Sequence, residues 1–149
     1  MHSGIHEHQP ACAVGACAAE RFYNEAAFRS AVLVQMQRPD KQLAIVLSGN
    51  ITDASVLGNV HSLTIDTPYL VDVSALGHVH TLNLSYCYRV VDVSDLGHVH
   101  SLSLYGCFGV VDVSALGHVH TLNLYGCSGV VDVSALGHLH TLNLSCCSG

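Results

Sequence analysis

The sequence predicts an α/β solenoid, with one parallel β-sheet on one side and short helical or 3-10 turns on the convex side. Three observations predict it. The phrase "VVDVSALGHVHTLNLYGCSG" fills Val110–Gly129, and close copies precede and follow it at a step of twenty residues. A fixed period of that length marks stacked units, because one unit cannot bury its own apolar face. Inside each copy "HTLNL" alternates polar and apolar residues, as a half-buried strand does. Between the Asp of each copy and the following strand stand only about seven residues, too few for a long helix.

Taken in order, residues 1–18 read as a flexible leader. Residues 19–38, "AERFYNEAAFRSAVLVQMQR", read as a helix rich in strong helix formers. Phe22, Ala26, Arg29 and Leu33 lie near one face, and Phe28, Ala31, Val32 and Met36 widen the apolar side. Pro39-Asp40 stops it. Leu43 to Leu47 follows as a strand, closed by a Ser-Gly-Asn turn. Residues 19–50 are therefore expected to cap an array of five repeats over 51–149.

Aligned on Asp-x-Ser, the five units are "ITDASVLGNVHSLTIDTP", "LVDVSALGHVHTLNLSYC", "VVDVSDLGHVHSLSLYGC", "VVDVSALGHVHTLNLYGC" and "VVDVSALGHLHTLNLSCC". Apolar residues hold fixed offsets: Leu116, Val119, Leu122, Leu124, Cys127, Val130 or Val131, and Val133. Leu122 and Leu124 should face inward, with Thr121 and Asn123 on the outer, concave face of the sheet. Asp112 and Ser114 suit the capping of backbone N–H groups at the start of the short turn "SALG". Gly117 is expected to end that turn in the left-handed conformation.

The stretch Val119–Cys127, apolar-x-x-Leu-x-Leu-x-x-Cys, resembles the leucine-rich repeat, whose unit is L-x-x-L-x-L-x-x-N/C-x-L. All five copies carry the pattern, with Pro68 replacing Cys in the first, and the resemblance covers about residues 43–149. The "V-x-D-V-S-A-L" half is similar to that of internalin-like bacterial repeats, which are a little longer and carry Asn in the Cys slot. The resemblance implies a right-handed leucine-rich-repeat solenoid that binds a protein through its concave sheet.

Composition excludes several other roles. Five Lys and Arg stand against eleven Asp and Glu. With no basic patch, nucleic acid is not an expected partner. No apolar run approaches the ~20 residues of a membrane span, and there is no basic anchor, so no membrane partner is expected either. Cys87, Cys107, Cys127 and Cys147 recur once per unit, which reads as one interior slot of reduced thiols rather than a disulfide framework. The N-terminal "ACAVGACAA" lacks the basic flank and the Leu-rich core of a secretory signal. A cytoplasmic protein is expected.

The histidines form two ladders, His78, His98, His118, His138 and His61, His80, His100, His120, His140. Imidazole racks can bind metal or sense pH. Units two and four share "VDVSALGHVHTLNL" letter for letter, so the ladders also read as filler copied by tandem duplication. No metal, cofactor or catalytic residue is assigned. Ser114-type serines lie two residues from Asp, which is capping geometry and not a triad. The expected binding face is Thr81, Asn83, Tyr86, Ser101, Ser103, Tyr105, Thr121, Asn123, Tyr125, Thr141 and Asn143, neutral and hydrogen-bonding, with the tyrosines supplying contact area. The alternatives are a structural spacer within a larger repeat array and a metal- or pH-responsive module using the His ladders. The last coil, Leu136, Leu139, Leu142 and Leu144, is expected to lie uncapped and to self-associate.

Overall fold

The computed structural model describes Cys12–Ala13, Ser30, Val34 and residues 44–147. Ser30 and Val34 are helical. The remainder of the helix expected over 19–38, and of the leader over 1–18, lies outside the described residues. Of the cap expected over 19–50, Ser30, Val34 and residues 44–50 are described.

Among the described residues, seven parallel strands form one sheet in sequence order. They are β1 (Cys12–Ala13), β2 (Ala44–Ser48), β3 (Ser62–Asp66), β4 (Thr81–Asn83), β5 (Ser101–Ser103), β6 (Thr121–Asn123) and β7 (Thr141–Asn143). β2 runs one residue past its expected end, to Ser48, and Leu43 lies outside the described residues. β1, inside the segment read as a leader, pairs through Cys12↔Ile45 and Ala13↔Val46. Sequential strands joined by a return segment and lying in parallel are the mark of a solenoid, since each coil must travel around the core before it can pair again. That return passes through five short 3-10 turns: Ser55–Leu57, Ser74–Leu76, Ser94–His98, Ser114–His118 and Ser134–Leu136.

The register is strict. Thr81, Ser101, Thr121 and Thr141 align; so do Leu82, Leu102, Leu122 and Leu142, and Asn83, Ser103, Asn123 and Asn143. The ladder runs beyond the three-residue strands. His100 and Ser101 both donate their N–H to His80 O, at 3.1 and 3.0 Å, and at the other end Leu104 N–H donates to Asn123 O and Gly106 N–H to Tyr125 O.

The interior is one continuous apolar column. Leu116, Val119, Leu122, Leu124 and Cys127 are all buried, as are their equivalents in the two preceding coils. Each fully buried Leu or Val contributes about 1.5–3 kcal/mol relative to exposure. In the valine pairs the first residue points in: Val110 is buried, whereas Val111 is 57% exposed.

Each coil also ties itself to the coil before it through the cysteine. Cys107 Sγ donates to Leu84 O at 3.1 Å, Cys127 Sγ to Leu104 O at 3.0 Å and Cys147 Sγ to Leu124 O at 3.0 Å. The same carbonyls accept the N–H of Cys87, Cys107 and Cys127 from within their own coils. Both lone pairs of the carbonyl are thus used, one for the turn and one for the stack.

The glycine of "SALG" does not do what was expected. Gly77 and Gly137 have φ of −61° and −66°, in the right-handed region, and Gly117 is not among the positive-φ residues. Close approach is the reason for glycine here. A Cβ on Gly58, Gly77 or Gly97 would collide with the carbonyl oxygen of Ala75, Asp95 or Ala115 in the next coil, and one on Gly117 would lie 2.7 Å from Ala135 O. At Gly137, the last in the series, nothing lies within 4 Å. The left-handed position falls instead in the turn after each strand, at Tyr86 (φ 65°), Gly106 (70°), Gly126 (73°) and Cys146 (62°).

The aspartates cap as expected. Asp72, Asp92, Asp112 and Asp132 accept the N–H of Ser74, Ser94, Ser114 and Ser134 at 2.9 Å, and Asp53 accepts that of Ser55 at 2.8 Å. Among the described residues no helix is long and apolar enough to cross a membrane.

Candidate functional site

The outward face of the sheet carries two polar rows. Thr81, Ser101, Thr121 and Thr141 open the strands, and Asn83, Ser103, Asn123 and Asn143 close them. Except for the more exposed Thr141, these residues are half-buried. The strand alternation that buries the leucines between them places every second residue here.

The asparagines are partly committed. Asn83, Asn123 and Asn143 Oδ1 accept the N–H of Ser85, Tyr125 and Ser145 at 2.9, 3.0 and 3.0 Å. Each clamps the turn that follows its own strand. The amide nitrogen remains for other partners, and in Asn123 it reaches Ser103 Oγ at 3.5 Å.

Tyr86, Tyr105 and Tyr125 stand at the rim where strand becomes turn. Tyr105 and Tyr125 stack with centroids 4.7 Å apart and planes 4° apart, and Tyr86 meets Tyr105 edge-on at 5.1 Å. The phenol of Tyr86 is pushed above its ordinary pKa, first by its hydrogen bond with Tyr105; that of Tyr125 is pushed up by its hydrogen bond with Cys146. Both shifts keep the Tyr86 and Tyr125 phenols protonated at neutral pH.

A second aromatic row escaped the sequence reading. Tyr88 and Phe108 stack at 5.4 Å with planes 3° apart, and Tyr86 contacts Tyr88 at 6.1 Å. Tyr69, Tyr88 and Phe108 are 45%, 44% and 55% exposed. The signal was present: each follows the Cys/Pro slot directly, at Pro68, Cys87 and Cys107. Together the rows make the rim the most aromatic strip among the described residues.

Other residues are set aside by their surroundings. Cys87, Cys107 and Cys127 are free, buried thiols, and Cys147 is half-buried. Burial pushes Cys107 up to about 12, and Cys87 and Cys127 up to about 11, so none is a nucleophile at neutral pH. Ser114 donates its N–H and hydroxyl to Asp112, which is a cap. Among the described residues no group of three His, Cys, Asp or Glu side chains is placed to hold a metal ion. The His-x-His pairs do not lie on strands: His98 and His118 end 3-10 turns, and His100 and His120 precede the strands.

Comparison with solved structures decides the architecture. An internalin (inlF) from Listeria monocytogenes superposes with a TM-score of 0.55 over 83% of this chain, at 17% identity. This chain folds as a leucine-rich-repeat solenoid. The solenoid spans 44% of the internalin chain. No protein-family model and no curated protein matches the sequence.

Proposed function

We propose that the solenoid is a non-catalytic interaction module that binds a protein partner through the sheet face and its tyrosine rim. The observation that carries this reading is the register. Thr, Ser and Asn side chains from four coils form an uncharged hydrogen-bonding surface, with Tyr86, Tyr105 and Tyr125 along one border. Tyrosine supplies large contact area at low conformational entropy cost, and half-buried hydroxyls and amides supply adaptable donors and acceptors. The flat spacing of the coils suits a partner that lies across several of them.

The test compares three baits: the intact chain, a Ser103→Arg/Asn123→Arg variant on the sheet face, and a Val91→Arg/Val111→Arg variant on the turn side. A protein retained by the first and third but lost by the second supports the reading once its affinity is measured with purified components. Capture that survives the sheet-face variant, or disappears only in the turn-side variant, rejects it.

A further inference from the structure

A column of five imidazoles runs up one edge of the sheet. Ring centroids are 4.6 Å apart for His61–His80, His80–His100 and His100–His120, and 4.5 Å for His120–His140, with planes within 25° of parallel. The backbone sets this spacing, because the N–H groups of His100, His120 and His140 donate to the carbonyls of His80, His100 and His120 in the preceding coil. His80, His100, His120 and His140 are exposed, and His61 is half-buried. Nδ1 of His80 and of His120 lies 3.3 Å from the Oγ1 of Thr81 and Thr121, which leaves Nε2 for solvent.

The charge around the column is sparse. Residues 44–147 contain nine His, seven Asp and Arg89, with no Lys or Glu. The strands facing the column present Thr81, Ser101, Thr121 and Thr141. The turns before it present His78, His98, His118 and His138. Asp95 is the one acidic residue within those turns, and the capping aspartates precede them holding serine N–H groups. Protonation of the histidines therefore reverses the sign of this part of the solenoid and concentrates the new charge on one edge.

We propose that the column of His61, His80, His100, His120 and His140 is a binding site for a linear sulfated polysaccharide, occupied when the imidazoles are protonated. Each coil offers one N–H donor and one charge in single file, a spacing that suits anionic groups strung along a polymer. Sulfate groups bridging the solvent-facing edges of neighbouring imidazolium ions relieve the repulsion that otherwise opposes charging the stack. His80 and His120 show that opposition: both are pushed below the ordinary imidazole pKa, first by desolvation and then by their column neighbours. A nucleic acid strand fits less well. Base stacking needs open ring faces, and here each inner ring face is covered by the next imidazole. A membrane surface also fits less well, since the exposed large apolar residues Val91, Val111, Tyr88 and Phe108 stand at other register positions.

The experiment is fluorescence anisotropy of labelled heparin with the full chain, at about pH 5.5 and about pH 7.5 in ~0.1 M salt, bracketing the ordinary imidazole pKa. At least ~tenfold tighter binding at the lower pH is expected, weakening with added salt. His80→Gln/His100→Gln/His120→Gln should lose most of that gain, whereas Arg89→Gln should keep it. A thermal melt at the higher pH confirms that the triple variant is folded; if it is not, His100→Gln alone, which interrupts the column at its centre, should reduce the gain. Equal affinity at both pH values overturns the proposal. So does a full gain in the folded triple variant, or in His100→Gln if that is the variant used, or tighter acid binding to a single-stranded oligonucleotide or to phosphatidylserine vesicles than to heparin.

Discussion

Cys107 shows what one slot does for the stack. Its thiol is buried and donates to Leu84 O, which also accepts the N–H of Cys87. Cys107→Ala removes the sulfur from a packed interior and the donor from that carbonyl, so a loss of about 1–3 kcal/mol in urea unfolding is expected. Native-state thiol labelling should spare Cys87, Cys107 and Cys127 and modify exposed Cys146 first; rapid modification of the three would contradict an interior position. That the slot is interior was legible in the sequence, because it repeats in phase with the leucines. Its hydrogen bond was not, because the acceptor belongs to another coil, twenty-three residues back. The choice between Val130 and Val131 was likewise unreadable from two adjacent identical letters.

At the scale of the element, the turn glycines report how closely coils approach. Gly97→Ala would drive a methyl into Ala115 O, and relieving it means separating two coils that share a backbone ladder. A loss of ~1–3 kcal/mol or more is expected. Gly137→Ala meets nothing within 4 Å and has an ordinary helical φ, so it should be neutral or stabilise by about 0.4–1 kcal/mol through the unfolded chain. Two identical substitutions with opposite outcomes, read by thermal melts, separate close approach from backbone conformation; equal losses would restore the left-handed reading. The same letters supported both readings, since a sequence shows a turn's own residues and not the neighbour that leans on it. The aspartate caps, being local, were legible. Their carboxyls are held below the usual range, chiefly by the serine N–H bonds. A depressed acid pKa stabilises the fold above the unfolded value of about 3.9, and that contribution fades as pH falls through the lower folded value. Asp112→Asn keeps an acceptor but removes the titration, and should flatten the decline of melting temperature below about pH 4.

Across the whole molecule the histidine column sets a second pH dependence. His80 and His120 are depressed, so the folded state binds fewer protons than the unfolded state does. Stability should be complete above the unfolded value near pH 6.5 and decline as pH drops through the window below it. Replacing His80 and His120 with Gln should flatten the fall in melting temperature between about pH 6.5 and 5, and an unchanged profile would remove the column from the account. The solenoid and the face it exposes were readable from the period alone, because the strand alternation assigns each residue to the core or the sheet. Which ladder stacks was not, since that depends on where the turn ends. The second aromatic row left a signal, one place after each Cys/Pro slot, but its members differ in identity and so do not stand out as a repeat. The proposed function requires that the polar sheet face, and not the turn side, meets the partner. A photo-crosslinking amino acid placed at Thr121 on that face, and separately at the 57%-exposed Val111 on the turn side, tests it most directly. A single crosslinked partner from position 121 and none from position 111 is expected. A partner captured from 111 and absent from 121 would contradict it.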